Sequence, residues 1–200
     1  DVLVFENLGS RQFASSSFDA VASGTGLSTN PTRVEVADLN GDAFPDIVVS
    51  LKNANSATGA IVGFINDGGP TVSFSAVPGN APLAVGVGAD SFAFGDLTLD
   101  GISDLAIIDL NGGTPDRVLV LAGEGDGTFC EFAELDLGIA INPERCLIAD
   151  IDADGDNDLL VTADSNDPDQ PAGTDLVVIF ESNPGAQDCN NNSIPDSDET

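Results

Sequence analysis

Histidine, tryptophan, tyrosine and methionine are all absent from this 200-residue chain. Without histidine the commonest general base and transition-metal ligand is gone. Without tryptophan and tyrosine the side chains that stack best on sugars are gone too. Positive charge is scarce: five Lys and Arg face 34 Asp and Glu, for a formal net charge of −29. Such a surface repels nucleic acid and anionic lipid and attracts cations. No run of about 18 apolar residues occurs, so no membrane-spanning helix is expected. The chain opens on Asp1, and a signal peptide is read as absent or already removed. Hydrophobic residues still make up 42%, an ordinary share for a chain that builds a core.

The acidic residues recur at regular places. Three segments align without gaps: residues 33–50 (RVEVADLNGDAFPDIVVS), 91–108 (SFAFGDLTLDGISDLAII) and 145–162 (RCLIADIDADGDNDLLVT). Their leading loop aspartates are Asp38, Asp96 and Asp150, in steps of 58 and 54 residues. A second set repeats in step: Asp1-VLVF, Ala60-IVGF, Arg117-VLVL and Asp175-LVVIF. These short β-branched runs read as strands. Turn residues follow three of them, Asn7-LG, Asn66-DGG and Gly123-EGDG, with Ser182-NPG after the fourth. Gly and Asn supply the positive φ of tight hairpins. Strand-like pieces such as Thr71-VSFSAV and Thr128-FCEF come next.

One unit therefore reads as strand, acidic loop, strand, hairpin, strand, with a fourth strand in between. About four strands in ~55 residues, repeated in tandem, predicts an all-β array of four-stranded antiparallel β-propeller blades, roughly three and a half of them. The runs Ile47-VV, Leu105-AII and Leu159-LV are apolar throughout and suit inner strands buried on both faces. No 3.6-residue periodicity predicts a helix. A β-sandwich of hairpins is the alternative, and the regular unit length argues against it.

The loops carry the chemistry. In Asp150-Ile-Asp152-Ala-Asp154-Gly155-Asp156-Asn-Asp158, carboxylates occupy positions 1, 3, 5 and 9 and glycine position 6. Calcium takes six to eight oxygens at about 2.3–2.6 Å, and the carbonyl of position 7, Asp156, can add one. Like charges at ~4 Å repel by about 4 kcal/mol at an effective dielectric of 20, and a dication reverses that sign. The first copy has Asp38, Asn40, Asp42 and Asp46, with Phe44 at position 7 and Ala43 in place of the glycine. The second has Asp96, Thr98, Asp100 and Asp104, with Ile102 at position 7. Its neutral Thr98 predicts the weakest site, Ala43 predicts a modestly weakened first site, and the third is complete.

These motifs resemble the FG-GAP and VCBS repeat families, the first of which includes the blades of integrin α-subunit propellers. The resemblance covers nearly all of residues 1–182 and rests on Val36-ADLNGDAFPDIVV, Phe94-GDLTLDGISDLAI and Ile148-ADIDADGDNDLLV, with Val118-LVLAGEGDGTF as a following hairpin. It implies a β-propeller with calcium in each blade's loop. The Phe-Gly pair occurs once, at Phe94-Gly95, and no clear Gly-Ala-Pro follows; the pattern is thus closer to VCBS. Neither family implies one fixed activity; both occur in adhesion, recognition and surface proteins and as appendages of enzymes.

Residues 183–200 read as a linker and a separate element. Asp188, Asn190, Asn192, Asp196 and Glu199 fall at positions 1, 3, 5, 9 and 12, the EF-hand schedule, with Ile194 at position 7 and Ser193 at the glycine position. The segment looks like the calcium motifs of dockerin-type or thrombospondin type 3-type tails. An acidic disordered tail is the alternative.

Cys130 and Cys146 lie on consecutive strands, so they form either a disulfide or two small buried residues; Cys189 is then left over. The expected function is a non-catalytic, calcium-binding recognition, adhesion or scaffold module. It would be secreted or at the cell surface, where millimolar calcium fills weak sites, with an extracellular protein or glycan as partner. The alternative is a non-catalytic propeller appendage or carbohydrate-binding part of a larger secreted hydrolase or lyase.

Overall fold

The computed structural model describes residues 2–10, 12–18, 29–53, 59–69, 72–77, 83–85, 91–109, 117–137, 141–165 and 175–180. Among them no residue is helical. The strands are β1 (Val2–Gly9), β2 (Gln12–Phe18), β3 (Thr29–Ala37), β4 (Asp46–Asn53), β5 (Gly59–Asn66), β6 (Phe74–Ala76) and β7 (Leu83–Val85). They continue with β8 (Phe92–Gly95), β9 (Asp104–Asp109), β10 (Arg117–Gly123), β11 (Phe129–Asp136), β12 (Ile141–Ala149), β13 (Asp158–Ser165) and β14 (Asp175–Phe180).

Among the described residues four antiparallel sheets result. Sheet A is the β1-β2 hairpin. Sheet B runs β3-β4-β5, and its fourth position is divided between β6 and β7, both on the far edge of β5. Sheet C is the four-stranded meander β8-β9-β10-β11, and sheet D is β12-β13-β14. The chain is thus all-β and built of propeller-type blades. Within a blade the order is strand one, acidic loop, strand two, strand three, hairpin, strand four. The strand expected between the second strand and the hairpin is strand three, β5 in sheet B and β10 in sheet C, and the last strand lies outermost.

Alternation of side chains across each strand lets every inner sheet serve two cores. In sheet B, Ile47, Val49 and Leu51 of β4 join Ala60, Val62 and Phe64 of β5, with Val4 of β1 packed against them. Val48 and Ile61 point the other way, to Leu39, Phe92, Leu105, Ile107 and Leu121. The opposite face of sheet C, with Ala106, Ile108, Val118 and Val120, meets Cys146, Leu159 and Val161 of sheet D. Every residue of β9 is buried. β4 is buried from Asp46 to Leu51, whereas Thr162 of β13 is exposed because sheet D is covered on one face.

Polar links reinforce the stack. Arg33 on β3 pairs with Glu35 and lies over the Phe92 ring of sheet C at 5.0 Å. Within sheet C, Arg117 donates from Nε and Nη2 to Asp109 Oδ2 (3.0 and 2.9 Å), and its Nη1 meets Glu134 at 2.7 Å. This ties β9, β10 and β11 together at the end away from the acidic loop.

The Cys130–Cys146 disulfide does not form. β11 is the outer strand of sheet C and β12 the first strand of sheet D, so a blade boundary separates the two residues although they lie on consecutive strands. Cys146 is a buried thiol. Its sulfur lies 3.8 Å from Ser91 Oγ and 3.7 Å from the Ala106 carbonyl, and burial pushes its pKa up to about 11.

Candidate metal-binding loops

Each acidic loop joins strands one and two of its blade, and all three fold alike. The position-1 carboxylate organises the turn. Oδ2 of Asp38, Asp96 and Asp150 accepts the position-6 N–H, of Ala43 (2.8 Å), Gly101 (2.9 Å) and Gly155 (3.2 Å). Oδ1 accepts N–H groups at position 4 or 5: Gly41 and Asp42, Asp100, and Ala153 respectively. Position 5 accepts from position 7, as in Asp42 from Phe44 (2.8 Å), Asp100 from Ile102 (2.7 Å) and Asp154 from Asp156 (3.2 Å). At position 3, Asn40 and Asp152 accept from Asp42 and Asp154, both at 3.2 Å.

Two residues per loop adopt positive φ. Position 4 holds Gly41 (72°), Leu99 (63°) and Ala153 (64°); position 6 holds Ala43 (67°), Gly101 (85°) and Gly155 (105°). Every loop therefore has one glycine and one non-glycine in the left-handed region. Ala43 does not single out the first loop as strained: its glycine has moved from position 6 to position 4.

The position-9 aspartates are buried. Asp46 Oδ2 accepts from Leu39 N (2.8 Å) and Oδ1 from Asn66 N (2.7 Å). Asp104 Oδ2 accepts from Leu97 N (2.6 Å) and Thr98 N (2.8 Å), and Oδ1 from Gly123 N (3.0 Å). Asp158 Oδ2 accepts from Ile151 N at 3.2 Å. In the first two loops this carboxylate joins position 2 to the end of strand three. Burial pushes Asp46 above the usual carboxylate range and Asp104 up to about 6, against the lowering effect of these backbone bonds.

Position 2 is an anchor that the acidic pattern does not advertise. Leu39 and Leu97 are buried in the core, while Ile151, in the sheet covered on one face, is exposed. The signal was present as an apolar residue at position 2 of all three copies. Position 7 locks the loop to the next hairpin: the Phe44 ring and Ile102 lie where a Cβ on Gly68 or Gly125 would be, at 2.8 and 3.1 Å. Adjacent loops also touch, since Asn157 Nδ2 donates to the Asp96 carbonyl at 2.9 Å.

Calcium fits this donor set best in the third loop. One ligand atom from each of Asp150, Asp152 and Asp158 lies within 4.8 Å of the others. Oxygens bound to one ion at about 2.4 Å can be at most ~4.8 Å apart. The carboxylates there also strain against one another. Loss of solvent raises Asp152, with the charges of Asp154 and Asp158 adding to it, while a hydrogen bond between Asp154 and Asp156 lowers the first and raises the second. In the second loop, the buried Thr98 Oγ1 has no hydrogen-bond partner, as a hydroxyl reserved for another ligand would. The carbonyl donors proposed at Phe44, Ile102 and Asp156 sit at the matching turn of each loop. The C-terminal candidates Asp188, Asn190, Asn192, Ile194, Asp196 and Glu199 lie outside the described residues.

Loops between strands one and two of stacked antiparallel sheets define a propeller-type repeat module. Residues 100–161 match the model of the FG-GAP-like repeat family. The match runs from the second acidic loop through β9–β12 into β13 and supports the FG-GAP resemblance. No curated protein matches the chain.

Proposed function

We propose that this propeller-type module binds calcium in its acidic loops, that the ion is structural, and that the module serves recognition, adhesion or scaffolding outside the cell. The observation that carries this reading is the convergence of Asp150, Asp152 and Asp158 within 4.8 Å, in a loop whose turn recurs in two other blades. Asp150, Asp152, Asp154, Asp158 and the Asp156 carbonyl would hold the ion in the third loop. In the first, the donors would be Asp38, Asn40, Asp42, Asp46 and the Phe44 carbonyl. In the second they would be Asp96, Thr98, Asp100, Asp104 and the Ile102 carbonyl. Calcium supplies positive charge that cancels repulsion among the loop carboxylates. The protein's part is to hold the donors in place by backbone hydrogen bonds.

A non-catalytic role is part of the proposal. The clustered carboxylates of the loops are engaged with their own backbone, Asp109 and Glu134 are held by Arg117, and the chain has no histidine. The acidic surface and the extracellular setting in which weak calcium sites fill both suit a protein or glycan partner.

Calorimetric titration with calcium, paired with melting curves in EDTA and in calcium, tests the reading. Calcium is expected to bind with the third loop among the occupied sites, and its removal to lower the melting temperature by several degrees or more. Absence of binding together with identical melts refutes it.

A further inference from the structure

The acidic loops are not equally joined to one another. Asn157 stands between Asp156 and Asp158, at positions 7 and 9 of the third loop, and its Nδ2 donates to the carbonyl of Asp96, the position-1 residue of the second. The bond crosses from sheet D to sheet C. It ends on the residue whose carboxylate accepts the N–H groups of Asp100 and Gly101 and so shapes the second loop. A packing contact accompanies it. A Cβ at Gly95, immediately before Asp96, would run into Cβ and Cγ2 of Ile148, which stands two residues before Asp150. The same place on strand one is Ala37 in sheet B and Ala149 in sheet D. The root of the second loop is thus held from both ends of the third, by Ile148 where the chain enters it and by Asn157 where the chain leaves.

The first and second loops lack the corresponding bond. Position 8 is Ser103 in the second loop, and among the described residues its hydroxyl makes no hydrogen bond to the Asp38 carbonyl. Position 8 of the first loop is Pro45, which has no donor at all.

We propose that Asn157 is a positioning residue for the second loop, through which calcium in the third loop raises the second loop's affinity for calcium. The proposal rests on the calcium reading above. An ion held by Asp158 and the Asp156 carbonyl fixes the backbone on both sides of Asn157. The amide then fixes the Asp96 peptide, so the second ion meets a loop already ordered and less freedom is lost when it binds. The second loop has the most to gain, because Thr98 gives it a neutral position-3 donor. Charge works the other way, since a first dication weakens the field that attracts the next. Five aspartates lie in the third loop, so the loop stays negative with one ion bound and does not repel a second.

The test uses the full chain and calcium alone as the probe. The amides of Gly101 and Gly155 donate to the position-1 carboxylates of the second and third loops, so their NMR shifts during a titration follow the two loops separately. In Asn157→Ala the calcium midpoint at Gly101 is expected to rise about fivefold. The midpoint at Gly155 is expected to stay within about twofold, because the third loop fills first. Emptying the third loop with Asp154→Ala, joined by Asp152→Ala if Gly155 still responds, is expected to raise the Gly101 midpoint in the chain that keeps Asn157. In the Asn157→Ala background it is expected to have little further effect. A Gly101 midpoint that Asn157→Ala leaves in place overturns the proposal while the calcium reading stands. So does an equal shift on emptying the third loop with and without Asn157, which would assign the coupling to charge. No calcium response at either amide overturns both.

Discussion

Replacing Asp104 with alanine separates two jobs that one carboxylate can do. The side chain is fully buried and accepts three backbone N–H groups, from Leu97, Thr98 and Gly123. Alanine leaves these donors without an acceptor, at about 1–3 kcal/mol for each buried orphan. An opposing gain comes from removing a buried charge. The carboxyl's pKa is pushed up to about 6, so at pH 7 its ionised form works against folding by roughly 3 kcal/mol at most. At about 2 kcal/mol for each of the three donors, less that offset, the expected net loss is about 3 kcal/mol, and it persists in EDTA because none of the three bonds involves a metal. Asp152→Ala provides the contrast: that side chain is exposed and accepts one bond, from Asp154 N at 3.2 Å. Its cost in EDTA is expected to stay below about 1 kcal/mol, with the larger loss seen only in calcium. Urea midpoints in both conditions give the stabilities, and hydrogen exchange at Leu97, Thr98 and Gly123 reads the loop locally. If Asp104→Ala costs no more than Asp152→Ala in EDTA, and the Gly123 amide keeps its protection, the carboxylate is not the pin described here.

In EDTA, lowering the pH from 7 to 5 is expected to stabilise the protein at Asp104. Its folded pKa of about 6 lies above the ordinary 3.8, so its contribution is full below 3.8 and lost as the pH rises through 6. In calcium the trend reverses, because protons compete with the ion for the loop carboxylates; a fall in stability from pH 7 to 5 in EDTA contradicts the assignment. Leu99→Gly is expected to raise stability by roughly 0.5–1 kcal/mol, since relief of a left-handed leucine outweighs the added freedom of the unfolded chain. Gly155→Ala is expected to do the opposite by about 1 kcal/mol. Melting in EDTA checks both, and a stabilising Gly155→Ala contradicts the loop geometry.

The repeat and its loops were legible because identical chemistry recurs at fixed spacing. Asp38, Asp96 and Asp150 mark the units, and the turns at Asn7, Asn66 and Gly123 mark the hairpins. The blade boundary was not legible. Alternating side chains show which residues share a face, and nothing in Cys130 or Cys146 says that their strands belong to different sheets. The second left-handed position was hidden for a related reason. A glycine announces positive φ, but Leu99, Ala153 and Ala43 take it silently: Ala43 and Ala153 donate their own N–H to the position-1 carboxylate, and after Leu99 the N–H groups of Asp100 and Gly101 do so. At position 9 the residue type is ambiguous in itself. An aspartate serves equally as a ligand or as an acceptor for backbone N–H, and the partners at Asn66 and Gly123 lie 20 and 19 residues downstream.

The sharing of each core between two sheets has a consequence for how the molecule opens. Sheet C lends one face to sheet B and the other to sheet D, so its strands cannot separate without dismantling both neighbours. Among the described residues, sheets A and D each lean on one partner. In a stack held by nearest-neighbour interfaces, opening proceeds from the ends inward. Amides of β9 should then be the last to exchange, those of β1 and β14 among the first, and the second acidic loop, rooted in sheet C, should keep its shape longest.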